Sequence, residues 1–316
     1  MLKRGLLVGL KTTWTLGKII FPITLIVTIL GYTPLLGWLA DLLAPLMRFI
    51  GLPGEAAIPL VLGNVLNLYA GIGAILTLDL TVKEVFILAV MLSFSHNLFV
   101  ESAVATKVGI RMSVVLAVRI GLALFSAFII NLFWSGGGEQ AQYGFVSTSP
   151  SAEPTTWLGI AWSGVESATL GILQLAMIVI PLMIFVQIAK EKNWLQVMSR
   201  WMMPFTRLLG IRENTSTTLA SGLAFGLAYG AGVMIQAVKE DNVSKKDLYL
   251  VFIFLVACHA VVEDTLIFIP LGIPIWPLLI IRLVTAIVLT MAVAFIWNRL
   301  EKDQQVNRKE ATTYDH

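Results

Sequence analysis

Ser95-His96-Asn97-Leu98-Phe99-Val100-Glu101-Ser102 and Cys258-His259-Ala260-Val261-Val262-Glu263-Asp264-Thr265 are two versions of one phrase. Each sets a histidine and one or two carboxylates inside an otherwise apolar segment. At membrane depth an ionisable side chain costs roughly 2.5–3.5 kcal/mol on insertion scales, so such groups are functional candidates by default. The surroundings are of that kind: the 316-residue chain is 57% hydrophobic and 13% charged, against about 25% charged in a soluble domain. The chain reads as an all-α polytopic membrane protein whose first partner is the lipid bilayer.

Other composition cues narrow the classes. The net charge of +3 comes from loop residues and gives no nucleic-acid patch. The single cysteine, Cys258, has no mate for an internal disulfide and supplies no thiolate set for zinc or iron–sulfur. Met1-Leu2-Lys3-Arg4 leads toward a long apolar run with no small-residue cleavage site, which is expected of an anchor helix.

Working outward from the two phrases exposes a duplication. An offset of 159 pairs Pro22 with Pro181, Pro45 with Pro204, Arg48 with Arg207, Gly51 with Gly210, Gly71 with Gly230 and Gly73 with Gly232. The second copy then gains four residues, and an offset of 163 pairs Lys83 with Lys246, His96 with His259, Glu101 with Asp264, Gly109 with Gly272, Arg119 with Arg282 and Trp134 with Trp297. General apolar composition would not align Pro, Gly, His, Arg and Trp over this length. The expected organisation is a first repeat over 1–134, an external linker over 135–156, a second repeat over 157–300 and a polar cytoplasmic tail over 301–316.

Six segments are long enough for a ~30 Å hydrocarbon core: 15–34, 84–106, 112–134, 168–189, 247–269 and 275–297. Two further apolar stretches, 55–78 and 214–238, are rich in small residues, among them Gly71, Gly73, Gly230 and Gly232. Glycine permits tight reversals, and irregular backbone at that depth needs protein or a water-filled cavity around it. These stretches are expected to be re-entrant hairpins. Leu35–Ile50 and Trp194–Leu209 carry apolar residues at helical spacing and are expected to lie at the interface as amphipathic helices.

Basic residues set the orientation. With Lys3, Arg4 and Lys11 in the cytoplasm, and hairpins that return to their side of entry, Lys107, Arg111, Lys190, Lys192, Lys245 and Lys246 fall inside. The uncharged Gly272–Pro277 loop and the Lys/Arg-free 135–156 segment fall outside, the tail with Arg299, Lys302, Arg308 and Lys309 lies inside, and Arg48 and Lys83 are left on the outer face. Each repeat then has three transmembrane helices plus one hairpin. An odd number of crossings makes the repeats inverted, an architecture of secondary transporters with the site at the repeat interface.

The candidate solute- or ion-binding residues are His96, Asn97, Glu101, His259, Glu263 and Asp264, joined by Asn64, Asn67 and Gln236 from the hairpins. Asn64 and Asn67 have no counterparts in the second hairpin, which offers Ser221, Tyr229 and Gln236 instead. His259 and Glu263 are four apart and share a helix face. His96 and Glu101 are five apart, as are His259 and Asp264, so these carboxylates reach their histidines only if the helix unwinds locally. Histidine with carboxylate can relay protons, hold a cation or hydrogen-bond a polar solute; it can equally brace helices in register. Arg119 and Arg282 are supporting charges, paired with a carboxylate or binding an anionic group. Glu55 and Glu166 are weaker candidates. No metal identity and no cofactor follow from the pattern, and Walker, Gly-x-Ser-x-Gly and His-Glu-x-x-His motifs are absent, so an enzyme is not expected.

The Gly-rich segments Gly63-Asn64 to Gly73 and Gly222 to Gly232, followed by His96…Glu101 and His259…Glu263-Asp264, resemble the nucleoside-recognition, or Gate, domain family. Similar segments occur in concentrative nucleoside transporters, in the membrane part of bacterial ferrous-iron transporters and in spore maturation membrane proteins. The resemblance covers nearly the whole chain as two Gate-like halves and implies re-entrant hairpins and inverted repeats. It departs from the iron transporters in having no GTPase domain and one cysteine, and from full nucleoside transporters in lacking their extra helices, which points to a homodimer or a partner membrane subunit. The expected function is an inner-membrane secondary transporter of a small polar or ionic solute, proton- or cation-coupled. The alternative is a non-transporting scaffold or assembly subunit whose buried polar groups are braces.

Overall fold

The computed structural model describes residues 2–144 and 156–314. Linker residues 145–155 lie outside the described residues, as do the side chains of Lys190 and Tyr229 and those of the tail from 303 onward, including Arg308 and Lys309.

Helices α1 (Leu2–Gly31) and α8 (Trp157–Glu191) pack closely because small residues line their crossing. A Cβ at Gly5 would lie 2.7 Å from the Cα of Ile184, and one at Gly9 would lie 3.0 Å from the Cα of Ile180. Further along, Gly17 faces Ile172 and Gly164 faces Leu25. Numbering rises on one helix as it falls on the other, so the pair is antiparallel. Close approach at small residues is how helices associate in lipid, where apolar side chains gain little by leaving the tails. Gly5 and Gly164 occupy one repeat position, and Leu25 and Ile184 another, so the same contact is made from both sides.

The rest of the chain is laid out twice. The first copy continues through α2 (Pro34–Phe49), a 3₁₀ turn (Gly54–Ala56), α3 (Ala57–Val65), α4 (Leu68–Ile75), α5 (Val82–Ser95), α6 (Leu98–Lys107) and α7 (Met112–Phe133). The second runs through α9 (Trp194–Leu208), a 3₁₀ turn (Glu213–Thr215), α10 (Ser216–Glu240), α11 (Lys245–Ala257), α12 (Glu263–Leu266), a 3₁₀ turn (Ile269–Leu271) and α13 (Ile275–Tyr314). Even the left-handed turns recur: Gly51 and Gly210 have φ of 78° and 74° at the ends of α2 and α9, a region glycine enters freely.

The small-residue stretches fold back on themselves. Helices α3 and α4 have nine and eight residues, roughly 12–14 Å each at 1.5 Å per residue, which is under half a ~30 Å core. They meet so closely that a Cβ on Gly71 would lie 3.1 Å from the Cα of Gly63. The reversal falls at Asn67, whose side chain accepts from the Ala70 N–H at 3.0 Å and caps α4. In the second copy the turn is at Gly226 (φ 73°, ψ 178°), the equivalent position. A Cβ on Gly230 would lie 3.1 Å from the Ser221 carbonyl oxygen, whereas nine residues of straight helix would separate them by about 13 Å.

Helices α5 and α11 form the centre. Val85–Ser95 and Asp247–Ala257 are buried without interruption, and a helix that is apolar all round is a core helix. Their starts are fixed by equivalent caps, Thr81 with Glu84 and Ser244 with Asp247. Outer helices expose large apolar side chains, such as Trp14, Phe133, Trp157 and Phe295, as a lipid-facing surface requires.

Among the described residues, five stretches are long and apolar enough to cross a membrane: Leu2–Gly31, Val82–Lys107, Met112–Phe133, Trp157–Ala189 and Ile275–Lys302. A sixth is added if Pro34–Phe49 and Gly54–Val65, bent by 88°, count as one span. The expected span over 247–269 needs correction. Helix α11 stops at Ala257, and the chain runs irregularly until Glu263. The freed N–H groups of Ala260 and Val261 go instead to the carbonyls of Gly222 and Leu223, at 3.0 and 2.9 Å.

The first part of the expected linker is tied to both copies. Lys83 N–H donates to the Gly137 carbonyl (2.8 Å), Val82 N–H to Glu139 (2.9 Å) and Ala141 N–H to Leu80 (2.9 Å). Gly144 N–H reaches Pro270 in the second copy at 2.7 Å. Burial pushes the Tyr143 phenol pKa up, keeping it a donor to the Leu78 carbonyl at 2.9 Å.

Candidate functional site

Two helix breaks build the site. Helix α5 ends at Ser95, and Asn97 takes a left-handed conformation (φ 54°) before α6 begins. In the second copy Ala260 occupies the same position with φ 41°. Each break is pinned to the neighbouring hairpin: Asn97 N–H donates to the Gly63 carbonyl at 2.8 Å, and Ala260 N–H to its equivalent, Gly222. The breaks turn Glu101 and Asp264 back toward their histidines, the local unwinding that a five-residue spacing demands.

The four side chains meet across the two copies. Oε1 of Glu101 lies 3.5 Å from Nε2 of His96 and 3.2 Å from Nε2 of His259. Oδ2 of Asp264 lies 3.9 Å and 3.5 Å from the same two nitrogens. All four residues are at most 5% exposed. The imidazole centroids are 5.2 Å apart and tilted by 42°. Nδ1 of His96 donates to the Leu92 carbonyl (2.7 Å), and Nδ1 of His259 to that of Leu255 (2.8 Å). That fixes Nε2 as the lone-pair nitrogen of each neutral ring and aims it into the cluster.

Arg119 and Arg282 are fully buried behind the carboxylates. Arg119 Nη1 lies 2.7 Å from Glu101 Oε2, while its Nε and Nη2 donate to the carbonyls of Phe94 and His96. Arg282 Nη2 donates to Asp264 Oδ2 at 3.0 Å and to the His259 carbonyl at 2.7 Å. Each arginine thus fastens a carboxylate and a helix break within its own copy.

Glu263 stands beside the cluster and accepts a 2.6 Å hydrogen bond from the Tyr69 hydroxyl of the first hairpin. It also borders an apolar cavity of about 740 Å³ between α8, α9 and α10, and a smaller one of about 110 Å³ against α1. The tip of the second hairpin touches the site, since a Cβ on Gly226 would lie 3.5 Å from Cδ2 of His259.

Several expected residues lie elsewhere. Gln236 is exposed on α10 and bonds Glu240 at 2.7 Å, because Met234 and Ala237 take the inward face. Gly232 is exposed with open space around it. Asn67 serves as a helix cap, and Asn97 contributes its backbone and is partly exposed. Asn64, on the first hairpin, carries a buried Oδ1 without a hydrogen-bond partner among the described residues. Glu166 is exposed on α8. The sequence reading passed over Tyr69. It also passed over Ser102 and Thr265, equivalent positions next to the carboxylates whose buried hydroxyls have no hydrogen-bond partner among the described residues. Their place beside Glu101 and Asp264 was the available signal.

The profile of the nucleoside-recognition (Gate) family matches this chain twice, over residues 13–116 and 172–274. The chain belongs to the Gate family. The two matches contain the equivalent hairpins and broken helices, so the Gate unit is the repeat itself. The chain is also similar to an uncharacterized membrane protein, YvoD, of Bacillus subtilis (strain 168), with 65% identity over 295 residues. That alignment covers 93% of this chain and 94% of the relative. No solved structure matches it.

Proposed function

We propose that this Gate protein is a multi-pass secondary transporter or permease of the cell (inner) membrane, moving a small polar or ionic solute with proton or cation coupling. One observation carries the reading: the His/carboxylate phrases of both copies converge in a single buried cluster where two helices break and a hairpin tip abuts. Broken helices around a site at a repeat interface are a transporter construction. The antiparallel run of α1 against α8, equivalent elements of the two copies, supports an inverted relationship. Each copy then contributes three crossings and a re-entrant hairpin, the crossing over 247–269 being made by a broken helix, with both termini cytoplasmic. Glu263 links the cluster to the 740 Å³ cavity and so marks an approach for solute. A homodimer or a partner subunit completes the assembly in this reading.

Uptake into proteoliposomes tests it, with nucleosides, divalent cations and dicarboxylates as the panel. The expected result is flux that disappears in His96→Ala, His259→Ala and Asp264→Asn. Flux that survives all three substitutions removes the cluster from the mechanism.

A second reading, a non-transporting scaffold, draws on the arginine–carboxylate pairs closed within each copy, which are what a brace needs. It predicts no flux for any solute, with the same substitutions lowering thermal stability.

A further inference from the structure

We propose that His96, His259 and Glu101, with Asp264 drawn in as the fourth donor, form a tetrahedral site for one divalent transition-metal ion of the zinc type. The site is a matter of binding and stands whether or not the chain transports.

The first argument is the orientation of the donors. Both imidazoles spend Nδ1–H on backbone carbonyls, so two Nε2 lone pairs face two carboxylate oxygens. Four acceptors turned on one another need an electrophile between them. His259 Nε2 has no hydrogen-bond partner among the described residues, although the residue is 1% exposed.

The second argument is size. Ligands about 2.0–2.1 Å from a tetrahedral ion lie about 3.4 Å from one another. His96 Nε2, His259 Nε2 and a Glu101 carboxylate oxygen all lie within 4.8 Å of one another, with nitrogen–oxygen edges of 3.5 and 3.2 Å; Asp264 Oδ2, 3.9 and 3.5 Å from the same two nitrogens, closes the set by moving toward Glu101. A mixed set of two imidazoles and two carboxylates suits zinc and its neighbours; calcium takes six to eight oxygens and magnesium keeps water.

The third argument is the surround. Each histidine is held through its other nitrogen and each carboxylate by an arginine, the outer shell that metal sites employ to aim their ligands. With neutral imidazoles, the two guanidinium charges cancel the two carboxylates, so no positive excess repels an incoming ion. Two ligands come from each copy, so the ion would clasp the repeats together.

The experiment uses the full chain, purified in detergent with a histidine-free tag, stripped with chelator and titrated with Co²⁺. The expected result is one Co²⁺ per chain with the intense visible bands of tetrahedral cobalt, displaced by Zn²⁺. Affinity should fall at least about 100-fold in His96→Ala and His259→Ala, and about 10–100-fold in Arg282→Gln, whose residue only holds a ligand in place. Gln236→Ala should bind as the parent does. Should the alanine variants fail to fold, His96→Gln and His259→Gln take their place. No saturable binding, the pale spectrum of six-coordinate cobalt, or an affinity indifferent to both histidines overturns the proposal. Metal binding without flux of any solute keeps this site and sinks the transport reading; flux that needs both histidines in a chain that binds no metal does the reverse.

Discussion

Oε1 of Glu101 stands closer to Nε2 of His259, in the other copy, than to Nε2 of His96 in its own, at 3.2 against 3.5 Å. The cluster therefore exists only when the copies are docked, and neither half could assemble it alone. Residues that meet within one network are coupled energetically by about 0.5–3 kcal/mol. A double-mutant cycle of Glu101→Gln and His259→Ala should show coupling in that range by thermal unfolding in detergent. Strict additivity would mean that the contact carries no energy.

Arg119 and Glu101 test the cost of a stranded charge. Both are buried, and removing one member of such a pair typically costs about 3–5 kcal/mol because the other is left unpaired. Arg119→Met should lower stability by that order, and Arg119→Met with Glu101→Gln should recover part of it. A double variant less stable than the single one would contradict the pairing.

Glycines at the α1/α8 crossing are graded by what stands opposite. Gly5 faces the backbone of Ile184, whereas Gly164 faces the movable end of the Leu25 side chain. Gly5→Ala should cost about 1–3 kcal/mol, as overpacking does, and Gly164→Ala less. Gly232→Ala, in open space, should stay within about 0.5 kcal/mol. Melting temperatures of the three variants, compared side by side, decide the order.

The inverted arrangement has a labelling test. Cys258 is buried and can stay, while Asp79 and Lys245 are exposed. A membrane-impermeant maleimide should reach Asp79→Cys only from outside the cell and Lys245→Cys only from the cytoplasm. Labelling of both from one side would sink the inversion.

The duplication was legible because Pro, Gly, His and Arg hold positions that apolar side chains cannot fill, and the repeat led directly to the histidine pair. A reversal within 55–78 was also readable from its small residues, but Asn67, which caps the helix after the turn, was read as a binding residue. The end of α11 was readable only as a condition: the five-residue spacing of His259 and Asp264 asks for local unwinding, but nothing over 258–262 marks where it falls, and the Ala260 N–H is taken up by the carbonyl of Gly222, 38 positions earlier in the sequence. Gln236 misled for the opposite reason: a polar residue in a greasy stretch looks functional until its neighbours show which face points inward. Tyr69 was missed because its partner, Glu263, lies 194 residues away.

The segment from Gly137 to Gly144 is stitched to Leu80–Lys83 at one end and to Pro270 at the other. Through these backbone hydrogen bonds the connecting strip fastens the rim of one copy to the rim of the other, so the docking that assembles the buried cluster is reinforced by main chain as well as by side chains.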